Sequence, residues 1–338
     1  MNAPMPVMLR EPPTAPEPLV SVQNISVAYE GTRSGFWARP TAVKALDNVS
    51  FDVFPGETLG LVGESGSGKS TTGRAVLRRI GVTSGRIFFR GEDITTVSGE
   101  ALRKLRRHMQ IVFQDPYASL NPRMKVLDIV AEPLQVHGLI RKPEEARDEI
   151  GELLRIVGLP RDALDRFPHA FSGGQRQRVG IARALALKPE FIVADEPVSA
   201  LDVSVRAQVV NLLQDIQRDL GLSLLFIAHD LSVVRHISHR VAILYSGKMV
   251  EIADRDQLYE RPIHPYTEAL LSAVPVPDPK IQKARKRLVY RGEIVDAGHW
   301  PSGCHLHGRC PLATEKCALE SPPLVEKRPG HFAACWHR

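Results

Sequence analysis

The residues with the clearest chemical pattern in this sequence are glycines, a lysine and a serine that follow a short apolar run. The run Thr58–Val62 is followed by Gly-Glu-Ser-Gly-Ser-Gly-Lys-Ser at positions 63–70, which matches the pattern G-x-x-x-x-G-K-[ST]. Glycines let successive backbone N–H groups point at phosphate oxygens, and the start of the next helix, expected over residues 71–79, adds partial positive charge. The pattern predicts a phosphate-binding loop. A Gly/Ser-rich turn before a helix is the alternative.

The lysine and the serine of this loop have separate predicted roles. We expect Lys69 to reach the β- and γ-phosphates of a nucleotide and the Ser70 hydroxyl to ligate Mg²⁺. The residues predicted to contact the nucleotide here are Gly63, Glu64, Ser65, Gly66, Ser67, Gly68, Lys69, Ser70 and Thr71.

Three apolar runs that predict buried strands end in polar side chains. They cover residues 109–113, 191–194 and 222–228. Parallel strands present their carboxyl ends at one edge of the sheet, where ligands bind. The polar residues that follow the three runs are Gln114, the pair Asp195 and Glu196, and His229. We therefore expect these side chains near the phosphate loop.

Each of these side chains has a predicted role at a triphosphate. Asp195 and Gln114 are predicted Mg²⁺ ligands, and Glu196 is predicted to polarise the attacking water. His229 is predicted to contact the γ-phosphate. Taken singly, Gln114 is more often a surface amide and a strand-end histidine is more often a satisfied core residue.

A second glycine-containing segment, Phe-Ser-Gly-Gly-Gln at 171–175, precedes a predicted helix over residues 176–187. Ser172 is a candidate N-cap, and Gly173 and Gly174, followed by Gln175, leave backbone N–H groups bare. The segment predicts a second phosphate contact. An ordinary capped helix is the alternative.

The organisation of the chain is predicted from its length and from how residue types are distributed along it. At 338 residues it suggests about two domains. Residues 1–18 contain many prolines and predict a disordered leader without signal architecture, which favours the cytosol. Strand-like runs at 19–29 and 43–54 predict an antiparallel flap, in which Tyr29 either stacks on a purine or packs in the core. We place a domain boundary near Arg261.

Composition limits the classes of partner. The 44 basic and 38 acidic residues give a net charge of +6, so nucleic acid and anionic lipid are conceivable partners. No DNA-reading pattern or basic run interleaved with aromatics is present, and we expect no nucleic-acid partner. No apolar run reaches the roughly 20 residues that a membrane span needs.

The cysteines are confined to the end of the chain. All four lie in its last 35 residues: Cys304, Cys310, Cys317 and Cys335. In a cytosolic chain this clustering argues for a metal site rather than structural disulfides. The spacing lacks the C-x-x-C pairs usual for zinc, and four thiolates suit either a [4Fe–4S] cluster or tetrahedral zinc.

Taken in order, these motifs resemble the ATP-binding subunits of ABC transporters over about residues 20–254. The resemblance identifies Tyr29 as the adenine-stacking aromatic, residues 63–70 as Walker A, Gln114 as the Q-loop glutamine, residues 171–175 as the signature motif, Asp195 as the Walker B aspartate, Glu196 as the catalytic glutamate, residues 199–202 as the D-loop and His229 as the switch histidine. Phe171 stands where leucine is commoner and keeps the position apolar.

The resemblance implies an α/β P-loop NTPase core over residues 19–261, with an antiparallel β subdomain and a helical subdomain inserted at about residues 115–185. It also implies ATP and Mg²⁺ as cofactors, and two such domains that sandwich two ATP molecules. A soluble ABC ATPase of translation or DNA repair is the competing class. Its usual second cassette or long coiled coil is not found in this sequence.

Residues 114–123, 197–202 and 264–267 resemble the peptide-importer branch, and specifically the F-type subunit of dipeptide and oligopeptide importers. This implies a second, D-type ATPase, two transmembrane permease subunits, an extracytoplasmic solute-binding protein and a position at the cytoplasmic face of the cell membrane. The solute stays open among peptides, glutathione-like compounds and nickel complexes.

The same branch carries a C-terminal extension that ends in cysteines, here residues 262–338. Similar tails imply an iron–sulfur cluster on the four thiolates. Zinc is the alternative, because a histidine could replace one ligand. The candidate histidines are His299, His305, His307, His331 and His337.

Overall fold

The computed structural model describes residues 17–30, 42–275, 278, 280, 288, 290 and 300–338. Most of the predicted leader, the loop at 31–41 and most of the basic segment at 281–291 therefore lie outside the described residues. Within the described part of the chain, the strands form a four-stranded sheet and an eight-stranded sheet.

The smaller sheet is antiparallel. Two of its strands come before the phosphate loop in sequence and two come after it. Its order is β2–β1–β4–β5, with β1 (Val20–Glu30), β2 (Ala42–Val53), β4 (Ser84–Phe89) and β5 (Glu92–Asp93). Alternating apolar side chains of β1 are buried, among them Val20, Val22 and Val27, as expected for a sheet with one covered face. The predicted antiparallel subdomain is confirmed.

The larger sheet has the order β11–β12–β10–β9–β3–β8–β7–β6. Its strands are β3 (Thr58–Val62), β6 (Met109–Val112), β7 (Phe191–Asp195), β8 (Ser223–Ala228), β9 (Arg240–Tyr245), β10 (Lys248–Asp254), β11 (Val325–Arg328) and β12 (His331–Ala333). Neighbouring strands in the series β9–β3–β8–β7–β6 pair in parallel. Every residue of β3, β7 and β8 is buried, because helices and the small sheet cover both faces.

Helices connect and cover these strands. They are α1 (Lys69–Val76), α2 (Gly99–Arg106), α3 (Val126–Val136), α4 (Arg147–Ile156), α5 (Gly173–Leu185), α6 (Val203–Leu220), α7 (Leu231–Ile237), α8 (Arg255–Glu260), α9 (Pro265–Ala273) and α10 (Glu315–Leu319). Among the described residues, no helix combines the length and apolarity that a membrane span requires.

The first of these helices differs from the sequence prediction. We expected it over residues 71–79, whereas α1 already includes Lys69 and ends at Val76. It begins where Gly68 takes a φ of 104° and stops before Arg78, whose φ of 54° is left-handed. The loop lysine and serine are thus part of the first helical turn.

Three helices form the predicted helical insert. Helices α3, α4 and α5 share one hydrophobic cluster, to which Val130, Ile150, Leu154 and Val179 contribute fully buried side chains. The apolar positions of α4 recur at helical spacing, which gives that helix one buried face. This unit leaves the core sheet after β6 and returns to it at β7.

The C-terminal region joins the core sheet. Strand β12 pairs antiparallel with β10, and β11 pairs with β12. Buried Glu251 on β10 accepts hydrogen bonds from the backbone of Ile263 and His264 and from the His331 Nε2, at 2.7, 2.9 and 2.6 Å. These contacts fix the start of α9 and the final hairpin on the same edge of the sheet.

Candidate functional site

The phosphate loop lies between the end of β3 and the start of α1, and its glycines are required by its shape. Gly66 and Gly68 have φ angles of 80° and 104°, which other residues rarely adopt. A Cβ on Gly63 would lie 2.2 Å from the Leu244 carbonyl oxygen. Ser65 and Gly66 are exposed at the loop tip, whereas Ser67 is buried.

Lys69 is buried against the loop that precedes it. Its Nζ donates to the carbonyls of Gly63 and Glu64 at 2.8 and 2.9 Å and lies 4.0 Å from Glu196 Oε1. Burial lowers the pKa of Lys69, and the nearby carboxylates of Glu196 and Asp195 oppose this effect. The ammonium therefore lies at the junction of the loop and the strand-end acids.

Ser70 and Asp195 face each other across the start of α1. The Ser70 hydroxyl donates to Asp195 Oδ1 at 2.8 Å. Burial raises the pKa of Asp195, and the Ser70 hydrogen bond counteracts it. A hydroxyl and a carboxylate oxygen are hard oxygen ligands, so this pair fits the predicted Mg²⁺ site.

Glu196 is the residue on which the strand-end side chains converge. Its Oε2 accepts from Gln114 Nε2 at 3.0 Å and lies 3.5 Å from His229 Nδ1. The backbone of Glu196 is left-handed, with a φ of 45°, and its N–H donates to the Ile227 carbonyl at 3.0 Å. A non-glycine residue in this conformation is strained, and such strain occurs preferentially at functional sites.

Tyr29 lies beside the same loop. Its hydroxyl is 3.4 Å from the Thr71 Oγ1, and 42% of the tyrosine is exposed. The partial exposure matches the prediction of a stacking surface better than the alternative of a core aromatic. Seven of the predicted residues are therefore adjacent to one site: Tyr29, Lys69, Ser70, Gln114, Asp195, Glu196 and His229.

The Ser172–Gln175 segment is not brought to that site within the chain. Ser172 caps α5: the Gln175 N–H donates to its hydroxyl at 3.4 Å, and the Ser172 N–H donates to Gln175 Oε1 at 3.0 Å. Gly174 is required by contact, because a Cβ there would lie 2.2 Å from Val205. Among the described contacts, none links Ser172, Gly173, Gly174 or Gln175 to the phosphate loop.

The four cysteines are free thiols that line one small cavity of about 20 Å³ together with His307 and His337. Burial raises the pKa of Cys304 to about 11, and the other three cysteines add to this effect. Burial also raises the pKa of Cys310. Within the described part of the chain, no three His, Cys, Asp or Glu side chains are arranged to hold a metal ion. The four thiols therefore share a cavity without a metal-ligating arrangement, and the iron–sulfur cluster and the zinc alternative stay predictions.

The histidines considered as replacement ligands have different surroundings. His305 contacts the Ser246 carbonyl at 2.7 Å and His331 contacts Glu251, so both are engaged elsewhere. His337 Nε2 lies 3.3 Å from the Cys317 Sγ. His299 lies outside the described residues.

Two residues next to the phosphate loop were not predicted from the sequence. The Glu64 N–H donates to the Tyr266 hydroxyl at 3.1 Å, and Arg309 Nη1 lies 3.8 Å from Glu64 Oε2. Tyr266 belongs to the His-Pro-Tyr-Thr motif, which was the only signal that could have drawn attention to it.

Comparison with known proteins decides the family. A family model described as ABC transporter matches residues 46–199, and one described as oligopeptide/dipeptide transporter, C-terminal region, matches residues 250–317. The oligopeptide transport ATP-binding protein AppF of Bacillus subtilis is 52% identical over 309 residues, which cover 91% of this chain and 94% of AppF. The chain belongs to the ABC transporter family of ATP-binding proteins.

Other relatives of this ABC protein agree. A Brucella ovis protein named for peptide import and ATP binding is 53% identical over 318 residues, covering 94% of this chain and 97% of that protein. The dimeric ABC cassette MJ0796 in a post-hydrolysis state with ADP and Pi has a TM-score of 0.61 and 30% identity, covering 70% of this chain and 98% of the cassette. Another dimeric structure of MJ0796 has the same TM-score and 29% identity.

The family and the fold together establish the activity. The α/β core with its antiparallel subdomain is an ABC ATPase fold, and the chain is an ATPase that uses ATP and Mg²⁺. The C-terminal region is of the oligopeptide/dipeptide transporter type.

Proposed function

We propose that this chain hydrolyses ATP to drive the uptake of dipeptides or oligopeptides through partner membrane permeases, as an F-type subunit. The observation that carries the hydrolytic part is the convergence of Lys69, Gln114 and His229 on Glu196. The peptide part is supported by the C-terminal region and by the names of the relatives.

In this proposal each side chain at the site has its own role in ATP binding or hydrolysis. Glu196 orients the attacking water and accepts its proton, while Lys69 and His229 stabilise charge that develops on the γ-phosphate. Ser70 and Asp195, with Gln114 beside them, would hold Mg²⁺, which neutralises charge on the phosphate oxygens when bound. Tyr29 stacks on the adenine.

The variant Glu196→Gln tests the role of Glu196. An amide keeps the size of the side chain but cannot accept the proton, so we expect the hydrolysis rate to fall at least about 100-fold while ATP binding persists. Glu260→Gln, at an exposed position at the end of α8, is the control and keeps its rate. Undiminished hydrolysis by Glu196→Gln would refute the assignment.

The site is completed by a second ATPase subunit, for which a D-type partner is proposed. Ser172 and the exposed face of α5 hold backbone N–H groups away from the phosphate loop of their own chain. In the dimer they would contact the triphosphate held by Lys69 of the other subunit. The dimeric MJ0796 cassettes support this arrangement.

The proposed attachment to two permease subunits uses a cleft between β6 and the helical insert. This cleft of about 300 Å³ is lined by Phe113, Val136 and Arg183, and Phe113 directly precedes Gln114. Movement of a permease segment bound there could be transmitted through Phe113 to Gln114. With this attachment the chain would lie at the cytoplasmic face of the membrane, and a solute-binding protein would serve the transporter from the other side.

Pull-down of co-expressed permease subunits tests this attachment. Val136 is 62% exposed at the cleft, so Val136→Arg should reduce recovery of the permeases. Leu220→Arg changes a side chain that is 51% exposed at the end of α6 and serves as the matched control. Equal recovery with both variants would contradict the proposed docking cleft.

Uptake assays with labelled solutes test the substrate class. Cells that express the chain with its permeases and binding protein should accumulate a labelled dipeptide or oligopeptide, and Glu196→Gln should abolish this accumulation. Glutathione and a nickel complex are the comparison solutes. Uptake of either one without peptide uptake would replace the proposed substrate and leave the ATPase assignment intact.

We also propose that Cys304, Cys310, Cys317 and Cys335 bind a [4Fe–4S] cluster within the extension at 262–338. Support comes from their shared cavity and from the absence of disulfides among them. A cluster is wider than one ion, so its thiolates need not approach the distances of tetrahedral zinc. Anaerobic purification with iron, sulfide and zinc analysis tests this; a colourless protein with one zinc per chain would refute the cluster.

A further inference from the structure

The C-terminal region contacts the phosphate loop directly. Tyr266, in the first turn of α9, is 2% exposed. Its hydroxyl accepts a hydrogen bond from the Glu64 N–H at 3.1 Å. Glu64 is the second residue of the phosphate loop, and α9 follows it by about 200 residues in sequence.

The peptide unit that Tyr266 contacts is the one that Lys69 also contacts. The Gly63–Glu64 peptide has its N–H on the Tyr266 hydroxyl and its carbonyl oxygen 2.8 Å from Lys69 Nζ. Rotation of this peptide would therefore break both hydrogen bonds together. The orientation that presents the carbonyl to Lys69 is fixed from the other side by Tyr266.

A second residue of the C-terminal region reaches the Glu64 side chain. Arg309 Nη1 lies 3.8 Å from Glu64 Oε2 and donates to the Tyr245 hydroxyl at 3.4 Å. The rings of Tyr245 and Tyr266 are in contact, with centroids 4.5 Å apart. Tyr266 thus holds the backbone of Glu64, and the neighbouring Arg309 holds its carboxylate.

Tyr266 is itself held in place by hydrogen bonds at the start of α9. The His264 Nδ1 accepts from the Tyr266 N–H at 3.2 Å, and buried Glu251 on β10 accepts from the His264 N–H at 2.9 Å. The Tyr290 hydroxyl donates to the Pro265 carbonyl at 2.8 Å. Tyr266 therefore has a fixed position relative to the core sheet from which the loop emerges.

A further contact reaches the other end of the loop. The Gly247 N–H donates to the Ser67 carbonyl at 2.9 Å. Trp300 packs against Gly247 so closely that a Cβ there would lie 2.3 Å from its ring, and His305 contacts the Ser246 carbonyl at 2.7 Å. The C-terminal region thus contacts the loop directly through Tyr266 and supports it indirectly through the Ser246–Gly247 turn.

We propose that Tyr266 is a positioning residue of the nucleotide site, which fixes the Gly63–Glu64 peptide for phosphate binding, with Arg309 in a supporting role. The C-terminal region then sets the affinity for ATP in addition to any role at the transporter. This inference rests on the proposed contact of residues 63–70 with the phosphates.

Tyr266→Phe in the full chain is the direct test, because it removes only the acceptor of the Glu64 N–H. We expect the Kd for ATP to rise about 3- to 30-fold, and the KM for ATP to rise with it, while kcat changes less than about twofold. Ser272→Ala is the matched control: it removes a hydroxyl of the same helix that contacts Ala269 and Leu288 rather than the loop. Its Kd for ATP should match that of the unaltered chain.

The supporting role of Arg309 is tested by a double-mutant cycle. Arg309→Gln should weaken ATP binding less than Tyr266→Phe does, since its ion pair is long and partly exposed. In a Glu64→Gln background the effect of Arg309→Gln should disappear. An undiminished effect would mean that Arg309 acts elsewhere.

Three outcomes separate the possibilities. A Tyr266→Phe variant that binds ATP as tightly as Ser272→Ala overturns the inference. An equal loss of melting temperature and ATP affinity in both variants also overturns it, because the role would then be structural. If the unaltered chain bound no ATP, the proposed function itself would fail.

Discussion

Gln114 donates its side-chain amide to the carboxylate of Glu196, with Nε2 3.0 Å from Oε2. The two residues follow neighbouring strands, β6 and β7, and so meet at the carboxyl edge of the sheet. Gln114 also follows Phe113, which lines the cleft beside the helical insert. The hydrogen bond therefore connects the proposed permease contact with the proposed catalytic carboxylate.

Removing this amide should slow hydrolysis more than it weakens ATP binding. In Gln114→Ala the Glu196 carboxylate loses a donor that orients it, and hydrogen bonds to charged groups contribute about 1.5–3 kcal/mol. We expect kcat to fall at least about tenfold and the KM for ATP to change less than about threefold. Steady-state ATPase kinetics measure both constants.

Gln110→Ala is the control for this prediction. Gln110 lies on the same strand, and its amide donates to the Arg106 carbonyl rather than to Glu196. Its kcat should stay near that of the unaltered chain. Equal losses of kcat in both variants would show that the damage comes from β6 and not from the contact with Glu196.

Asp195 is predicted to cost stability in the absence of nucleotide. Burial raises its pKa above the usual value, even after the opposing effects of Ser70 and Lys69. The folded chain therefore disfavours the carboxylate, and this penalty is present at pH values above the folded pKa. Asp195→Asn should raise the melting temperature at pH 7 and abolish stabilisation by Mg²⁺ and ATP. Thermal unfolding with and without both ligands measures this.

Asp219→Asn is the matched control for that variant. Its carboxylate is exposed near the end of α6, so the melting temperature should change by less than about 1 °C and stabilisation by nucleotide should persist. A lower melting temperature for nucleotide-free Asp195→Asn than for Asp219→Asn would contradict the predicted cost of the buried carboxylate.

His264 should make the stability of the chain depend on pH. Burial lowers its pKa to about 4, and its Nδ1 accepts the Tyr266 N–H at the start of α9. Between pH 6.5 and 4 the unfolded histidine binds a proton that the folded one does not, so the free energy of unfolding falls as the pH falls. Burial lowers the pKa of His305 to about 4 as well, so this histidine adds an effect of the same sign.

The variant His264→Asn keeps an N-cap acceptor and removes the titrating group. Between pH 7 and pH 5 it should lose about 2 kcal/mol less unfolding free energy than the unaltered chain, as measured by denaturant unfolding. His236→Asn, at an exposed position on α7, should lose as much as the unaltered chain. Identical pH dependence of all three proteins would refute the role of His264.

The sequence was sufficient to predict the strand-end residues of the site. Gln114, Asp195 and His229 each follow a mostly apolar run, and such runs predict strands that are buried on both faces of a parallel sheet. Because parallel strands share one functional edge, their order in the chain was enough to place these side chains with the phosphate loop. The structure brings them together around Glu196.

The contribution of the C-terminal region could not be predicted in the same way. Strand β11 is exposed at all four residues and β12 has only three, so neither shows the alternation that marks a strand. Their pairing with β10, like the contact of Tyr266 with Glu64, joins residues far apart in the sequence. Such contacts depend on tertiary packing that local periodicity does not contain.

The exposed start of α5 allows a test of the site shared between two subunits. In the proposed dimer, the Ser172 hydroxyl and the nearby N–H groups meet the γ-phosphate bound by the other chain. Ser172→Asp keeps an N-cap acceptor for the Gln175 N–H and places a negative charge against that phosphate. We expect the melting temperature and the ATP affinity of the single chain to be preserved, whereas ATP-dependent dimerisation and hydrolysis fall at least about tenfold.

Ser98→Asp provides the matched control, because Ser98 is the exposed N-cap residue of α2. Size-exclusion chromatography with light scattering, with the second ATPase subunit present and in Glu196→Gln backgrounds that retain ATP, measures dimerisation of both variants. Dimerisation should fail in the Ser172→Asp chain alone, since only there does the added carboxylate face a phosphate. If the Ser172→Asp chain dimerised as well as the Ser98→Asp chain, the start of α5 would not contact the triphosphate bound by the other subunit.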